Sequence, residues 1–326
     1  MEIGLYTFAD VAPGQHPGQR LRNLVEEIVL ADQVGLDIFG VGEHHRPDYA
    51  VSAPTVALAA AATQTKRIRL SSAVTVLSSD DPIRVHQQFA TLDGLSNGRA
   101  EIMAGRGSFI ESFPLFGYDL ADYDRLFAEK LGKLLALREG EVPGVHPIPV
   151  QQPIPLWIAV GGTPQSVVRA ASLGLPMALA IIGGDPSRFV PFFDLYRDAW
   201  AKAGRKPGEA HLSLNMHGFV AATGEEAKST FEGPHQEVMN RIGRERGWPP
   251  QGHAHFEASC GPNGHLLIGG AEEVAEKIVS LHRAFGFDRI LIQMAIGAMP
   301  HGAVLKAIEL MGTKVAPLVR AAVSRT

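Results

Sequence analysis

Eight times along its 326 residues this chain passes from an apolar run rich in β-branched residues to a segment of helical period, and that rhythm limits the possible folds more than anything else in it. The strand-like runs are 3–8, 37–42, 68–77, 100–104, 155–160, 176–182, 212–222 and 288–293. The helical patterns that follow them are 19–35, 53–65, 82–95, 123–137, 164–173, 187–203, 225–246 and 303–323, with one extra helix at 272–285. Eight strand-then-helix units in this length predict a single-domain TIM (β/α)8 barrel over residues 1–326, with extra loops at the mouth formed by the strands' C-terminal ends. A doubly wound sheet would need fewer strands and a glycine-rich first turn. The first turn here, Thr7-Phe8-Ala9-Asp10, has none.

Three segments exceed the minimal repeat: 108–122, 139–153 and 247–265. Each is rich in Gly, Pro, His or aromatic residues. Long loops in a compact domain usually carry function. The first and third are expected to act as lids over the mouth, and the second, which follows a helix, to lie at the opposite end.

Composition removes other classes. Thirty Lys and Arg against 34 Asp and Glu leave a formal charge of −4, with no basic stretch to track nucleic acid. A single cysteine, Cys260, rules out an internal disulfide framework or a cysteine-built zinc site. The first residues carry no signal-peptide pattern, and no apolar stretch reaches the ~18–20 residues of a membrane span, so a soluble, cytoplasmic protein is expected.

Four clusters at predicted strand ends could carry chemistry. Glu43-His44-His45-Arg46 follows the second strand, where barrel enzymes place catalytic groups, and histidine is the side chain that titrates nearest neutrality. The same cluster suits a polar loop that caps backbone, or less readily a metal, since adjacent residues splay apart. Ser71-Ser72-Ala73-Val74-Thr75-Val76 ends the third strand with small side chains that would admit a flat ring or simply pack. Gly105-Arg106-Gly107-Ser108 offers a planar cation and free amides to a phosphate, or an arginine paired at the rim. Gly161-Gly162-Thr163-Pro164 leads into a helix whose N-terminus favours an anion.

In this order, these residues resemble the luciferase-like flavin monooxygenase family, whose best-known member is the α subunit of bacterial luciferase. Also part of the likeness are Gln88-Phe89-Ala90-Thr91-Leu92-Asp93-Gly94-Leu95-Ser96-Asn97-Gly98-Arg99, Phe116-Gly117 and Gly269-Gly270-Ala271-Glu272-Glu273-Val274-Ala275, a collinear run of about 230 residues. The resemblance implies a TIM barrel that binds reduced, exchangeable FMN at its mouth, meets O2, and forms a C4a-peroxyflavin to oxidise a small organic substrate. It implies His44 as the catalytic histidine. It also implies a cofactor site of Glu43, Ala73, Val74 (across a non-prolyl cis peptide), Arg106, Gly161, Gly162, Thr163 and Ser166, with Arg125 as a second phosphate cation. Gly105 stands where luciferase carries a reactive cysteine, which implies a substrate other than a long aldehyde.

By the same resemblance, a separate NAD(P)H:flavin reductase supplies the flavin, and the helices at 53–65 and 82–95 form a homodimer. An F420-dependent oxidoreductase transferring hydride and a non-catalytic flavin-binding protein are the alternatives. Tyr6, Phe8, Phe109, Phe113, His217 and Met294 are candidates for an apolar substrate pocket.

Overall fold

Apolar strands that must be covered on both faces, joined by amphipathic helices, give a barrel of parallel strands inside a ring of helices. The computed structural model describes residues 1–107 and 109–324. In chain order the elements are β1 (Glu2–Thr7), α1 (Pro17–Gln33), β2 (Ile38–Val41), α2 (Pro54–Ala62), β3 (Arg69–Ser72), β4 (Thr75–Val76), α3 (Pro82–Ser96), β5 (Ala100–Gly105), α4 (Ser112–Leu115) and α5 (Tyr123–Arg138). They continue with β6 (Leu156–Val160), α6 (Pro164–Ser172), β7 (Met177–Ile181), α7 (Val190–Lys202), β8 (Leu212–Val220), α8 (Gly224–Arg246), α9 (His253–Cys260), β9 (Leu267–Gly269), α10 (Ala271–Phe285), β10 (Arg289–Gln293), α11 (His301–Leu310) and α12 (Ala316–Val323).

Every strand pair in the barrel is parallel, and the sheet closes because β10 pairs with both β1 and β8. β3 and β4 together form one of the eight staves, as expected. Proline at the first turn of α2, α3 and α6 suits the position where no amide partner is lost.

An inner cluster of Tyr6, Ala73, Met103, Trp157, Ala178 and Leu291 fills the barrel. Its foot is closed by a buried ion pair: Arg289 donates to the two oxygens of Glu101 at 2.7 and 3.0 Å and lies 4.1 Å over the Trp157 ring. Removing one partner of such a pair strands the other's charge, so this plug fixes the base while the opposite end stays open.

Four features differ from the sequence reading. The run 68–77 is not one strand: it breaks at Ala73–Val74, whose peptide bond is cis. The side chains repair the ladder there. Ser72 Oγ accepts from Met103 N–H at 3.0 Å and donates to Met103 O at 3.1 Å, and Glu43 accepts from Val76 N–H at 2.9 Å. A three-residue strand, β9, pairs in parallel with the end of β8 and is too short to show a period. The C-terminal helix widens into a π turn at Met311–Val315, where Gly312 lies tight against Val34.

The fourth is the segment 247–265, which forms α9 with Phe256 buried and supplies no residue to the lining of the cavity at the mouth. The C-terminal half of α8 occupies that place. The 139–153 segment sits at the foot as expected, with Gln151 donating to Ala100 O at 2.8 Å.

Candidate active site

The open end of the barrel holds a cavity of about 490 Å³, within the range of small-molecule sites. Two groups of polar residues face each other across it.

On one side Gly105 ends β5, and Arg106 projects from the turn that follows. Arg106 donates to Asp124 Oδ1 at 2.7 Å and reaches Thr163 Oγ1 at 3.4 Å, while its guanidinium lies over the Tyr123 ring. Tyr123 is itself tied by its hydroxyl to Gly107 O at 2.8 Å. Thr163 stands at the cap position of α6 without capping it. Its hydroxyl donates instead to Ser166 Oγ at 2.8 Å. Arg106, Thr163, Ser166 and the first amides of α6 therefore converge, and their charge and dipole suit a phosphate. Gly162, at φ 98°, takes the turn a side chain would strain, and Gly161 lines the cavity. The partner Asp124 is largely exposed, so its hold on Arg106 is weak against an incoming dianion.

Between this cradle and the far wall many of the lining residues are small, among them Ala73, Val74, Gly105, Ala159, Ala178 and Ala180, beside Met103 and Val160. A Cβ at Gly105 would meet Val74 Cγ2 at 2.7 Å, so no larger residue fits beside the cis peptide.

On the other side stands His44. Its ring stacks on Tyr49 at 4.3 Å and meets Phe8 and Phe109 edge-on at 4.6 and 5.2 Å. Burial in this cage pushes its pKa down to about 3. Arg46 and His45 add to the depression and Asp48 opposes it. At neutral pH His44 is therefore an uncharged imidazole facing the cavity, able to accept or donate one hydrogen bond. Glu43 also lines the cavity, but both oxygens are engaged, one by Val76 N–H and the other by His45 Nε2 at 3.0 Å. It braces β4 and orients His45.

The remaining expectations divide. Tyr6, Phe8, Phe109 and His217 line the cavity. Phe113 and Met294 belong to the core instead, the former completely buried against Tyr123. Arg125 is not among the residues lining the cavity; it pairs with Asp122 and Glu129 at 2.9 and 3.0 Å. Ser108 lies outside the described residues. Phe109, Glu111 and Ser112 bring the first long loop to the mouth, as expected of a lid. Arg46 ties that loop to α8, donating to Glu111 at 2.7 Å and Glu245 at 2.6 Å.

Asp10, Asn215 and Gln293 also line the cavity and carry no signal in the sequence. No group of three or more His, Cys, Asp or Glu side chains placed to hold a metal occurs among the described residues.

Comparison with known proteins places this geometry. Residues 1–289 match the family described as luciferase-like monooxygenase. N-acetyl-S-alkylcysteine monooxygenase of Bacillus subtilis (strain 168) is 27% identical over 300 residues, covering 86% of this chain and 89% of that protein. The oxygenating constituent of 3,6-diketocamphane monooxygenase from the CAM plasmid of Pseudomonas putida, solved in complex with FMN, superposes with a TM-score of 0.80 at 20% identity, covering 97% of this chain and 98% of that one. The coenzyme F420 dependent tetrahydromethanopterin reductase of Methanopyrus kandleri superposes with a TM-score of 0.72 at 19% identity, covering 97% and 99%. At such identities the structural likenesses show the fold.

Proposed function

The chain belongs to the luciferase-like monooxygenase family, and from that premise we propose that it is an FMN-dependent monooxygenase that oxidises a small organic substrate with O2. One observation carries the reading: Arg106, which reaches Thr163 at the start of α6, and a neutral, caged histidine line the same cavity, with small side chains between them.

Arg106, Thr163, Ser166 and the start of α6 would hold the phosphate of FMN, and Ala73 and Val74 would support its ring. Bound reduced flavin supplies the electrons and the position at which O2 is activated. The chain's own part is to shape and dry the surroundings. Phe8, Tyr49 and Phe109 exclude water from His44, and His44 holds or passes a proton at its ring nitrogen. Neutral, it offers one ring nitrogen as a hydrogen-bond acceptor and the other as a donor. Glu43 acts at one remove, by fixing Val76 and His45.

F420 is the competing cofactor, since a neighbour that depends on it shares the fold. The two are separated by titrating the protein anaerobically with reduced FMN, riboflavin and F420. FMN binding far more tightly than riboflavin is the expected result; preference for F420 would replace monooxygenation by hydride transfer. As in the resemblance, a separate reductase would supply the flavin. Exposed Val56 on α2 and Leu95 on α3 would be covered in a homodimer, which light scattering reads directly.

A further inference from the structure

The stretch of β8 that faces the cavity carries two donors with nothing in the protein to donate to. Asn215 and His217 alternate onto one face of the strand, about 7 Å apart along it, and both line the cavity. Neither Asn215 Nδ2 nor His217 Nε2 has a partner among the described residues. Neither is sealed off either, since the 6% of each residue that stays exposed opens on the cavity.

Asn215 is turned this way from behind. Ser213, fully buried two residues earlier on the same face, donates its hydroxyl to Asn215 Oδ1 at 2.9 Å. The amide oxygen is thereby taken up on the protein side, and the NH2 faces the cavity. The ladder partners of Ser213 and Asn215 on β7 are Ala178 and Ala180, whose methyl groups leave that NH2 uncovered.

His217 is turned by a second imidazole. Its Nδ1 lies 3.4 Å from Nε2 of His235, a residue of α8 that is 2% exposed and stacked on Phe231. Burial pushes the His235 pKa down to about 3 and that of His217 well below its ordinary value, and neighbouring histidines, His265 for both, add to each shift. Each ring is therefore neutral and carries one hydrogen. If His217 donated to His235, the His235 hydrogen would sit on Nδ1, a buried N–H with no acceptor, and both rings would hold the intrinsically less favoured Nδ1–H tautomer. If His235 donates, both rings hold the favoured Nε2–H form and His235 Nδ1 keeps only a lone pair. An orphaned buried N–H is the rarer defect in folded proteins. His235 therefore donates, and His217 turns an N–H to the cavity.

The titratable groups that act on His217 are imidazoles alone; no carboxylate, lysine or arginine contributes. An anion bound to these donors would be buried without a counter-ion beside it, whereas an uncharged oxygen needs only the hydrogens they offer. Val238, Met239 and Ile242 of α8 supply apolar surface for the rest of such a molecule.

Resting on the FMN reading, we propose that Asn215 and His217 bind the substrate through uncharged, carbonyl-type oxygen, and that Ser213 and His235 are positioning residues that aim these two donors.

The test is calorimetry on the FMN-loaded protein with acetophenone, α-methylstyrene and benzoate. The first two have the same shape and differ by an oxygen in place of a methylene; the third brings a negative charge. His217→Phe and Asn215→Leu, which remove a donor and keep the bulk, should each weaken acetophenone roughly fivefold or more and leave α-methylstyrene within about twofold. Either variant suffices if the other does not fold. His217→Gln, whose amide reaches the place of Nε2, should restore most of the acetophenone affinity. Nitrogen NMR of the histidine rings, with the His217 signals assigned by their loss in His217→Phe, should show its hydrogen on Nε2, and His235→Phe should turn that signal into one of mixed tautomers. Variants that weaken both neutral probes alike or neither, tighter binding of benzoate than of acetophenone, a His217 hydrogen on Nδ1, or a spectrum unchanged in His235→Phe overturns the proposal. FMN retention, read by flavin fluorescence, and the same series run without FMN keep the two readings apart: lost FMN binding with the donor dependence intact condemns only the cofactor assignment.

Discussion

The two sides of the cavity are made differently. The proposed phosphate cradle is assembled from turns: glycines that free the backbone, one arginine, two hydroxyls and a helix start, with Arg106 and Thr163 open to solvent and Ser166 buried behind them. The His44 side is assembled from interior packing, a ring held by three aromatic neighbours, of which Phe109 lies 65 positions away in the chain. A rim of exposed donors can take up and release a charged group, whereas a caged neutral imidazole is fixed in protonation and orientation before anything binds. Holding the cofactor and acting on it are therefore separable, and substitutions should separate them.

The largest effect is expected at the caged side. His44→Ala should lower substrate oxidation by roughly 10²–10⁴-fold, the usual worth of a positioned proton-transfer group, with FMN affinity nearly unchanged. Steady-state rates beside a flavin titration check this, and equal losses in both would erase the distinction.

Acid should strike the same side. An imidazole kept neutral when folded takes its proton more readily when unfolded, so its contribution is intact above about pH 6.5 and is lost as the pH falls towards 3. His235 and His265, pushed down by burial to about 3 and about 4, add in the same direction; Asp10, raised to about 6, opposes it as the pH falls through 6. Urea denaturation at pH 7.5 and 4.5 should show a loss that His44→Phe, which keeps the packing, reduces by roughly 2–3 kcal/mol. An identical loss in the variant would place the His44 titration elsewhere.

At the cradle the effect is smaller and selective. Arg106→Ala should weaken FMN by roughly tenfold to a hundredfold and riboflavin hardly at all, because only FMN brings the phosphate to this charge-assisted bond. Equal weakening would move the phosphate away from Arg106. The smallest effect belongs to Arg125, which is spent on Asp122 and Glu129: Arg125→Ala should leave FMN affinity within about twofold.

The same contrast governs what could be read in advance. Gly105-Arg106-Gly107 and Gly161-Gly162-Thr163 stand out in the sequence because glycine at a strand end has few uses, and His44 stands out in its dense polar cluster. The eightfold rhythm was equally plain. Asp10 and Gln293 could not be seen: each is a single polar residue beside an apolar run, and only the β1–β10 pairing and the turn at Ala9 bring them to one wall. The break in 68–77 was hidden because both halves are strand formers, and the cover at the mouth was sought in 247–265 because nothing in the helical pattern of 225–246 says that its far end leans over the cavity. Nothing in the sequence around Arg125 shows that it stands outside the cavity, paired with Asp122 and Glu129.

The most direct test of the account loads the protein with reduced FMN without oxygen, mixes it rapidly with oxygenated buffer and records spectra in time. If this is a flavin monooxygenase site with His44 acting on the cofactor, a transient spectrum distinct from both reduced and oxidised FMN will appear and persist, and will be short-lived or absent in His44→Ala. Direct conversion of tightly bound reduced FMN to its oxidised spectrum, the same in both proteins, would contradict it.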